Sequence, residues 1–599
     1  MIARSHGVGE PRWSPSGALV GWLDSWDGRT DLVVGPSDAS VPASVISADI
    51  SVTAIGAYGG GGWCWIDDEH VAVAAVDGRL VVLHADGGGL ARVLIADGTA
   101  AAPAATRDGS VVACVLETED RCDVVVVPAD GSAPHSVISA ADYAWDPAWS
   151  PDGRALAWHE WDLAEMSWQS SRIVIAERGA LDALTFGAPR SVAGGANIAV
   201  SQPRFAPNGS KLAYIAERDG WWNVHVCDAD GSNPTTLRAE PNEHCGPSWG
   251  PGQRTFGWSP DSMAIAYERN EDGYGRLVVA SLDGGDTRDV AKAHHGGIDW
   301  NERGIVAARS GAKTPTNIVV TDSRTGARRV LARGPVAGFE ACGLVEPVPV
   351  VWDGPSGRVH GMLRRPPGVE RPPMLVLVHG GPTDQATAEW NPRAAFWASR
   401  GWAVLTVNYR GSTGYGRDYR EQLNEQWGIA DVEDVASGIR HAIDEGWCHG
   451  SKVAVTGGSA GGFTALLVCA KHPELVRAGV SLFGVADLAQ LAATTHRFES
   501  KYLDALVGPL DEVPGRYAER SPVNFASSIT VPMLILQGRD DKVVPLAQAD
   551  GMVAAMRAAG ADVEYVVYDG EGHGFRKLAN VIDEYERTEA FLSRTVVHA

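Results

Sequence analysis

No stretch of 18 consecutive apolar residues occurs in the 599-residue chain, so no helix is expected to cross a membrane. The N-terminus, MIARSHGVGEPRWSPSG, lacks the apolar core and cleavage site of a secretory leader, and none is expected. Cysteine is sparse and scattered: Cys64, Cys114, Cys122, Cys227, Cys245, Cys342, Cys448 and Cys469. None forms a C-x-x-C pair, which argues against a zinc ribbon, a thioredoxin motif and a disulfide framework. A reducing cytoplasm fits this usage. Basic residues are outnumbered: 51 Lys and Arg against 74 Asp and Glu leave a formal charge of −23. Such a surface repels phosphate, so neither nucleic acid nor an anionic membrane is expected as a partner. With 45% hydrophobic and 21% charged residues, the composition is that of a folded chain, not a disordered one.

What is present divides into two unlike parts. Residues 1–343 consist of short Val/Ile/Ala-rich runs closed by Asp-Gly turns, such as CDVVVVPADGS from Cys122 and WNVHVCDADGS from Trp222. This is the pattern of β-hairpins. A repeat runs through it: Trp13-Ser-Pro-Ser-Gly17, Trp149-Ser-Pro-Asp-Gly153, Phe205-Ala-Pro-Asn-Gly209 and Trp258-Ser-Pro-Asp-Ser262, with a weaker copy at Thr106-Arg-Asp-Gly109. The last three strong copies stand 56 and 53 residues apart, close to the length of a four-stranded propeller blade. At roughly 40–50 residues per blade, this part predicts a β-propeller of about seven blades. Fifteen of the 21 tryptophans precede residue 345, as packing between blades requires.

Residues 344–599 alternate strands with helices. Strands are expected at Met374–Val378, Ala403–Val407, Val453–Thr456, Ala478–Phe483, Met533–Gln537 and Glu564–Tyr568, and helices at Asp431–Glu445, Gly462–Lys471 and Leu546–Ala559. This predicts an α/β domain with a mostly parallel sheet and its site at the carboxyl ends of the strands.

The sharpest motif is Gly457-Gly458-Ser459-Ala460-Gly461, a G-x-S-x-G directly after a strand and before a helix. There a serine is held on a tight turn with its hydroxyl exposed, and it becomes a nucleophile if a base and an orienting acid follow. Two later strand ends supply them. Asp541 is assigned as the acid, with neighbouring Asp540 as the alternative, and His573 as the base. His441, His449, His472 and His496 follow no strand end and read as surface or core residues. The oxyanion donors are the N–H of Ala460 and that of Gly381 in His379-Gly-Gly-Pro382, with Gly380 as the fallback. No metal or cofactor is required by this chemistry.

Together, HGGP at 379–382, NYRGSTGYG at 408–416, WG at 427–428 with Asp431 and Asp434, GGSAGG at 457–462, GRDDKVVP at 538–545 and GHGF at 572–575 resemble the prolyl oligopeptidase family of serine peptidases. The family spacing G-x-x-D-x-x-V-P selects Asp541 over Asp540. The resemblance implies an α/β-hydrolase domain preceded by a gating propeller, and it leaves room for a homo-oligomer. The NYRGSTGYG string, the stretch from Trp145 to Trp168 and the segment THRFESKYL from Thr495 are most similar to its acylaminoacyl-peptidase and aminopeptidase branch. A dipeptidyl peptidase carries a Glu-Glu pair in its propeller, and no adjacent pair occurs in the first 340 residues.

The reading is therefore a serine exopeptidase acting at the N-terminus of short peptides or aminoacyl amides, with aminopeptidase first. Acylaminoacyl or dipeptidyl peptidase, then carboxylesterase, then a non-enzymatic propeller scaffold stand behind it. An aminopeptidase must also hold the substrate ammonium, and Glu217 and Glu243 are candidates for this. Trp221 is a candidate pocket wall, and Phe483, which follows a strand end near Ser459, a candidate for the S1 pocket. Asp487 and Arg497 are polar candidates for the same region.

Overall fold

The computed structural model describes residues 7–52, 59–133, 135–179, 184–334 and 343–598. The described residues up to 334 form one compact unit and those from 343 onward another.

The first unit contains, among the described residues, seven antiparallel blades of four strands, each taken in sequence order. Their first strands are Gly7–Trp13, Trp63–Trp65, Thr99–Ala105, Tyr143–Trp149, Val200–Phe205, Phe256–Trp258 and His294–Asn301. The third and fourth blades are also joined by one parallel pairing, Cys122 with Tyr143. The repeat explains itself in this setting. In the fourth blade Ser150 Oγ donates to Asp152 Oδ1 at 2.6 Å and accepts Ala155 N–H at 2.9 Å, while Gly153 turns the chain at φ +70°. A residue with a Cβ is strained in that left-handed region.

The repeat tryptophans do more than fill space. Trp149 Nε1 donates to the Ala104 carbonyl at 3.0 Å, and Trp258 Nε1 donates to the Arg204 carbonyl at 3.0 Å. Trp65 does the same to Arg12 at 3.3 Å. Each indole thus ties the first strand of its blade to that of the preceding one. The first and seventh blades meet where Trp13 N–H donates to Asp299 Oδ2 at 3.0 Å.

The second unit is built on one eight-stranded sheet. Its strands are β1 (Val348–Gly354), β2 (Gly357–Arg364), β3 (Met374–Val378), β4 (Ala403–Asn408), β5 (Val453–Gly458), β6 (Ala478–Leu482), β7 (Met533–Gly538) and β8 (Val563–Tyr568). The spatial order is β1-β2-β4-β3-β5-β6-β7-β8. From β4 to β8 neighbours run parallel, while β1 and β2 form an antiparallel edge. That edge hairpin was not anticipated. Only Trp352 of β1 is buried, and its apolar run, Val-Pro-Val-Val-Trp, carries a proline that a strand tolerates at a sheet edge. The helices used below are α1 (Pro392–Ser399), α2 (Ala430–Asp444), α3 (Ala460–Lys471), α4 (Leu488–Thr494), α5 (Leu546–Ala558) and α6 (Leu578–Leu592). Helix α1 starts where the Asn391 side chain accepts Ala394 N–H and Pro392 presets the first turn. Its Phe396 and Trp397 pack with Tyr585 and Phe591 of α6 over Leu375, Val404 and Leu534 of the sheet.

Among the described residues, no helix is long and apolar enough to cross a membrane.

Candidate active site

Strand β5 ends at Gly458, and α3 begins at Ala460. Ser459, the single residue between them, takes φ +56° and ψ −124°, a strained conformation for a residue with a Cβ. Its N–H donates to the Leu482 carbonyl at 3.0 Å, and its own carbonyl accepts Phe463 N–H at 3.0 Å, so the end of β6 and the first turn of α3 hold it there. The glycines are a steric necessity. A Cβ on Gly461 would lie 2.2 Å from the Val378 carbonyl oxygen, and one on Gly457 2.4 Å from Gly461. Helix α3 therefore sits close against the end of β3, with its positive end at the serine.

Past the end of β7, Asp541 is buried. Its Oδ1 accepts the N–H groups of Val543 and Val544, each at 2.9 Å. Its Oδ2 accepts Gln537 Nε2 at 3.2 Å and lies 2.8 Å from His573 Nδ1. Asp540 is exposed, and its N–H bonds to the Glu571 carbonyl. Of the two acids, Asp541 is the one that meets the imidazole. A carboxylate only accepts here, so Nδ1 carries the proton and Nε2 is left as the basic nitrogen.

His573 lies on the loop after β8. Buried Glu571 fixes that loop by accepting Arg576 N–H, Lys577 N–H and Asn580 Nδ2 at 2.8–3.0 Å. Phe483, itself at φ +40°, stands edge-on to the His573 ring with centroids 4.8 Å apart. It packs against the imidazole and is not among the described residues that line the cavity beside Ser459.

The His379-Gly-Gly-Pro loop leaves β3 toward the same point. A Cβ on Gly380 would lie 3.5 Å from Ser459 Cβ, and Gly381, Ser459 and Ala460 share one cavity wall. The loop is braced on both sides. Burial pushes the His379 imidazole down to about 4, so it is neutral; it spans the Gly380 carbonyl and the Ser412 hydroxyl, 2.8 Å from each. It stacks on Tyr409, whose hydroxyl donates to the His379 and Pro382 carbonyls. Thr383 N–H donates to the Tyr502 hydroxyl at 3.1 Å.

The structure thus brings Ser459, Ala460 and Gly381 into one cavity and Asp541 onto His573. The other candidates are placed as follows. Asp487 caps α4 by accepting Gln490 N–H, and Arg497 begins a one-turn helix, Arg497–Glu499. Glu217, Trp221 and Glu243 belong to the propeller unit. Glu217 and Glu243 are both 2% exposed, and Glu243 accepts Trp222 N–H at 2.8 Å. Trp221 is half-buried at the start of its strand, opposite Arg218. The bracing roles of Tyr409, Tyr502 and Glu571 had no counterpart in the sequence reading. Each nevertheless had a positional signal: Tyr409 lies in NYRGSTGYG, Tyr502 in THRFESKYL, and Glu571 two residues before the histidine.

Residues 388–598 match the prolyl oligopeptidase family, and residues 129–337 match the TolB β-propeller domain. A solved puromycin-hydrolysing peptidase of Mycobacterium tuberculosis is 30% identical; the alignment covers 99% of this chain and 95% of that one, with a TM-score of 0.91. The chain belongs to the prolyl oligopeptidase family. Among curated relatives in the family, dipeptidyl peptidase family member 6 of Caenorhabditis elegans is 35% identical over 37% of this chain and 31% of its own length. The acylamino-acid-releasing enzyme of Homo sapiens is 29% identical over 37% of this chain and 31% of its own length. The matched stretch is thus about a third of each of these two relatives.

Proposed function

We propose that the chain is a serine exopeptidase that releases the N-terminal residue of short peptides or aminoacyl amides. The observation that carries the reading is the 2.8 Å contact of His573 with Asp541, past the ends of β8 and β7 of the sheet whose β5 holds Ser459 in its strained turn. The full-length relative named as a puromycin-hydrolysing peptidase supports amide cleavage.

His573 Nε2 takes the Ser459 hydroxyl proton as Oγ bonds to the amide carbonyl carbon. The oxygen that gains the charge is met by the Gly381 and Ala460 N–H groups. Each such donor is worth about 10²–10³ in rate. The C–N bond then breaks, and the imidazolium returns the proton to the leaving amine. Water, deprotonated by the same nitrogen, cleaves the acyl-serine ester and restores the hydroxyl. Asp541 keeps Nδ1 protonated throughout and offsets the imidazolium charge.

The test is turnover of three chromogenic substrates, an alanyl anilide, its N-acetyl form and a short-chain ester, by wild type and Ser459→Ala. Cleavage of the free aminoacyl anilide, lost in the variant, is the expected result. Preference for the acetylated anilide would replace this reading with acylaminoacyl peptidase, which the matches to acylamino-acid-releasing enzymes support. Ester cleavage alone would remove the peptidase assignment.

A further inference from the structure

The cavity beside Ser459 is walled by Gly381, Ala460 and a ring of side chains from the segments around α4. Most of its wall is apolar, including Trp427, Leu491, Leu503 and Val544. One carboxylate interrupts it, that of Glu499, at the end of the Arg497–Glu499 turn. Glu499 is 9% exposed. Its Oε2 accepts the Thr495 hydroxyl at 3.3 Å and lies 3.5 Å from His496 Nε2. His496 in turn feels the charges of Glu499, His573 and Asp541, which places this pair within the field of the acid–base residues.

The covalent geometry of a substrate decides what such a carboxylate can meet. In an N-terminal residue, the α-nitrogen and the carbonyl carbon are both bonded to Cα, so they are about 2.5 Å apart. When the carbonyl carbon is at Ser459 Oγ, the ammonium has to lie in the space that Ser459 lines. Its partner has to line that space too, and Glu499 is the carboxylate among the described residues of that wall. We propose that Glu499 receives the α-ammonium of the substrate while the N-terminal side chain fills the apolar remainder of the cavity. This rests on the aminopeptidase reading above. It explains how the site would reject an acylated N-terminus: an amide there brings no cation to a carboxylate already withdrawn from water.

The experiment compares two isosteric substrates, an alanyl anilide and the lactoyl anilide that carries a hydroxyl in place of the ammonium. Wild type and Glu499→Gln of the full chain are assayed on both. The ratio of kcat/KM, alanyl over lactoyl, is expected to be large in wild type and to fall roughly 10- to 100-fold in the variant, the range of a hydrogen bond between charged groups. In wild type, alanyl turnover should also decline as pH rises through the α-amine pKa, near about 8, and this decline should be absent in the variant.

A wild-type ratio near one would overturn the proposal, as would an unchanged ratio in E499Q. A loss confined to lysyl anilide would assign the carboxylate to the side chain and overturn it as well. Failure of wild type to cleave any free aminoacyl anilide while cleaving the acetylated one would instead sink the aminopeptidase reading, and the proposal with it. Should E499Q not fold, Glu499→Asp, with its carboxylate drawn back by about 1.5 Å, takes its place. A ratio reduced at least threefold then supports the proposal, and an unchanged ratio overturns it.

Discussion

Asp541 Oδ2 lies 2.8 Å from His573 Nδ1, and the same carboxylate is pinned from behind by the N–H groups of Val543 and Val544. Because two backbone donors fix Oδ1, Oδ2 alone faces the ring. Asp541→Asn keeps the shape but lets an NH₂ face Nδ1, which favours the tautomer with its proton on Nε2. That nitrogen can then no longer act as base. The expected loss in kcat is about 10³–10⁴-fold with little change in KM. Asp540→Asn, at an exposed position, should stay within about twofold of wild type. Steady-state kinetics of the two variants side by side tests the assignment, and a larger loss in D540N would reverse it.

Ser459 holds φ +56° and ψ −124° between β5 and α3. A Cβ there costs on the order of 1–3 kcal/mol, offset in part by the extra freedom a glycine has in the unfolded chain. Ser459→Ala removes the hydroxyl but keeps the strain, whereas Ser459→Gly removes both. S459G is expected to be inactive yet more stable than S459A by about 1 kcal/mol, read from urea unfolding. Equal stability of the two would show that the turn is relaxed.

The triad candidates were legible because each sits on a short, rigid transition whose chemistry is local. Gly457 and Gly461 are there to permit a close approach, and the strand endings before Asp541 and His573 announce where the site must be. The propeller was legible because a turn that reuses Ser, Asp and Gly leaves a repeat. What could not be read is contact at a distance. Tyr502 reaches Thr383 across 119 residues, a pairing that leaves no trace in spacing. Phe483 was read as a pocket wall from its place after a strand end, which says that a side chain is near the serine but not which way its ring turns. The β1–β2 hairpin escaped because the proline in Val-Pro-Val-Val-Trp argues against a strand anywhere but a sheet edge, and Arg358, His360 and Gly361 interrupt β2.

Arg410 and Asp434 form a buried pair within the NYRG segment. The Arg410 N–H donates to Asp434 Oδ2 at 2.7 Å, and Nε lies 3.0 Å from both oxygens. The side chains are 8% and 0% exposed. Removing the cation strands a charge that burial already disfavours, since desolvation holds the Asp434 carboxyl above its usual range. Arg410→Met should therefore cost about 3–5 kcal/mol. Arg410→Met combined with Asp434→Asn, which still accepts the backbone N–H, should recover most of it. A double variant no more stable than R410M would mean that the guanidinium acts through packing rather than charge.

Asp431 is a second buried carboxyl, held by hydrogen-bond donors, with Lys471 and Arg520 near enough to feel its charge. It accepts the Thr464 hydroxyl at 2.5 Å and Gly428 N–H at 2.7 Å, and burial pushes its pKa up to about 6. The folded chain thus keeps this proton to a higher pH than the unfolded chain, whose aspartates titrate near about 4. Its contribution is fully present below about pH 4 and is lost as pH rises through 6, since the fold must then hold an ionised carboxylate away from water. Asp431→Asn still accepts Gly428 N–H through Oδ1, turns its NH₂ to the Thr464 hydroxyl, whose own proton goes to the Ala460 carbonyl 3.1 Å away, and does not titrate. Relative to wild type, the variant should therefore gain about 3 kcal/mol between pH 4 and pH 7, the equivalent of a shift of about two pKa units. Urea midpoints measured for both proteins across that window check the sign: the wild-type curve should fall away from that of D431N as pH rises, and two parallel curves would show that Asp431 enters the fold already ionised.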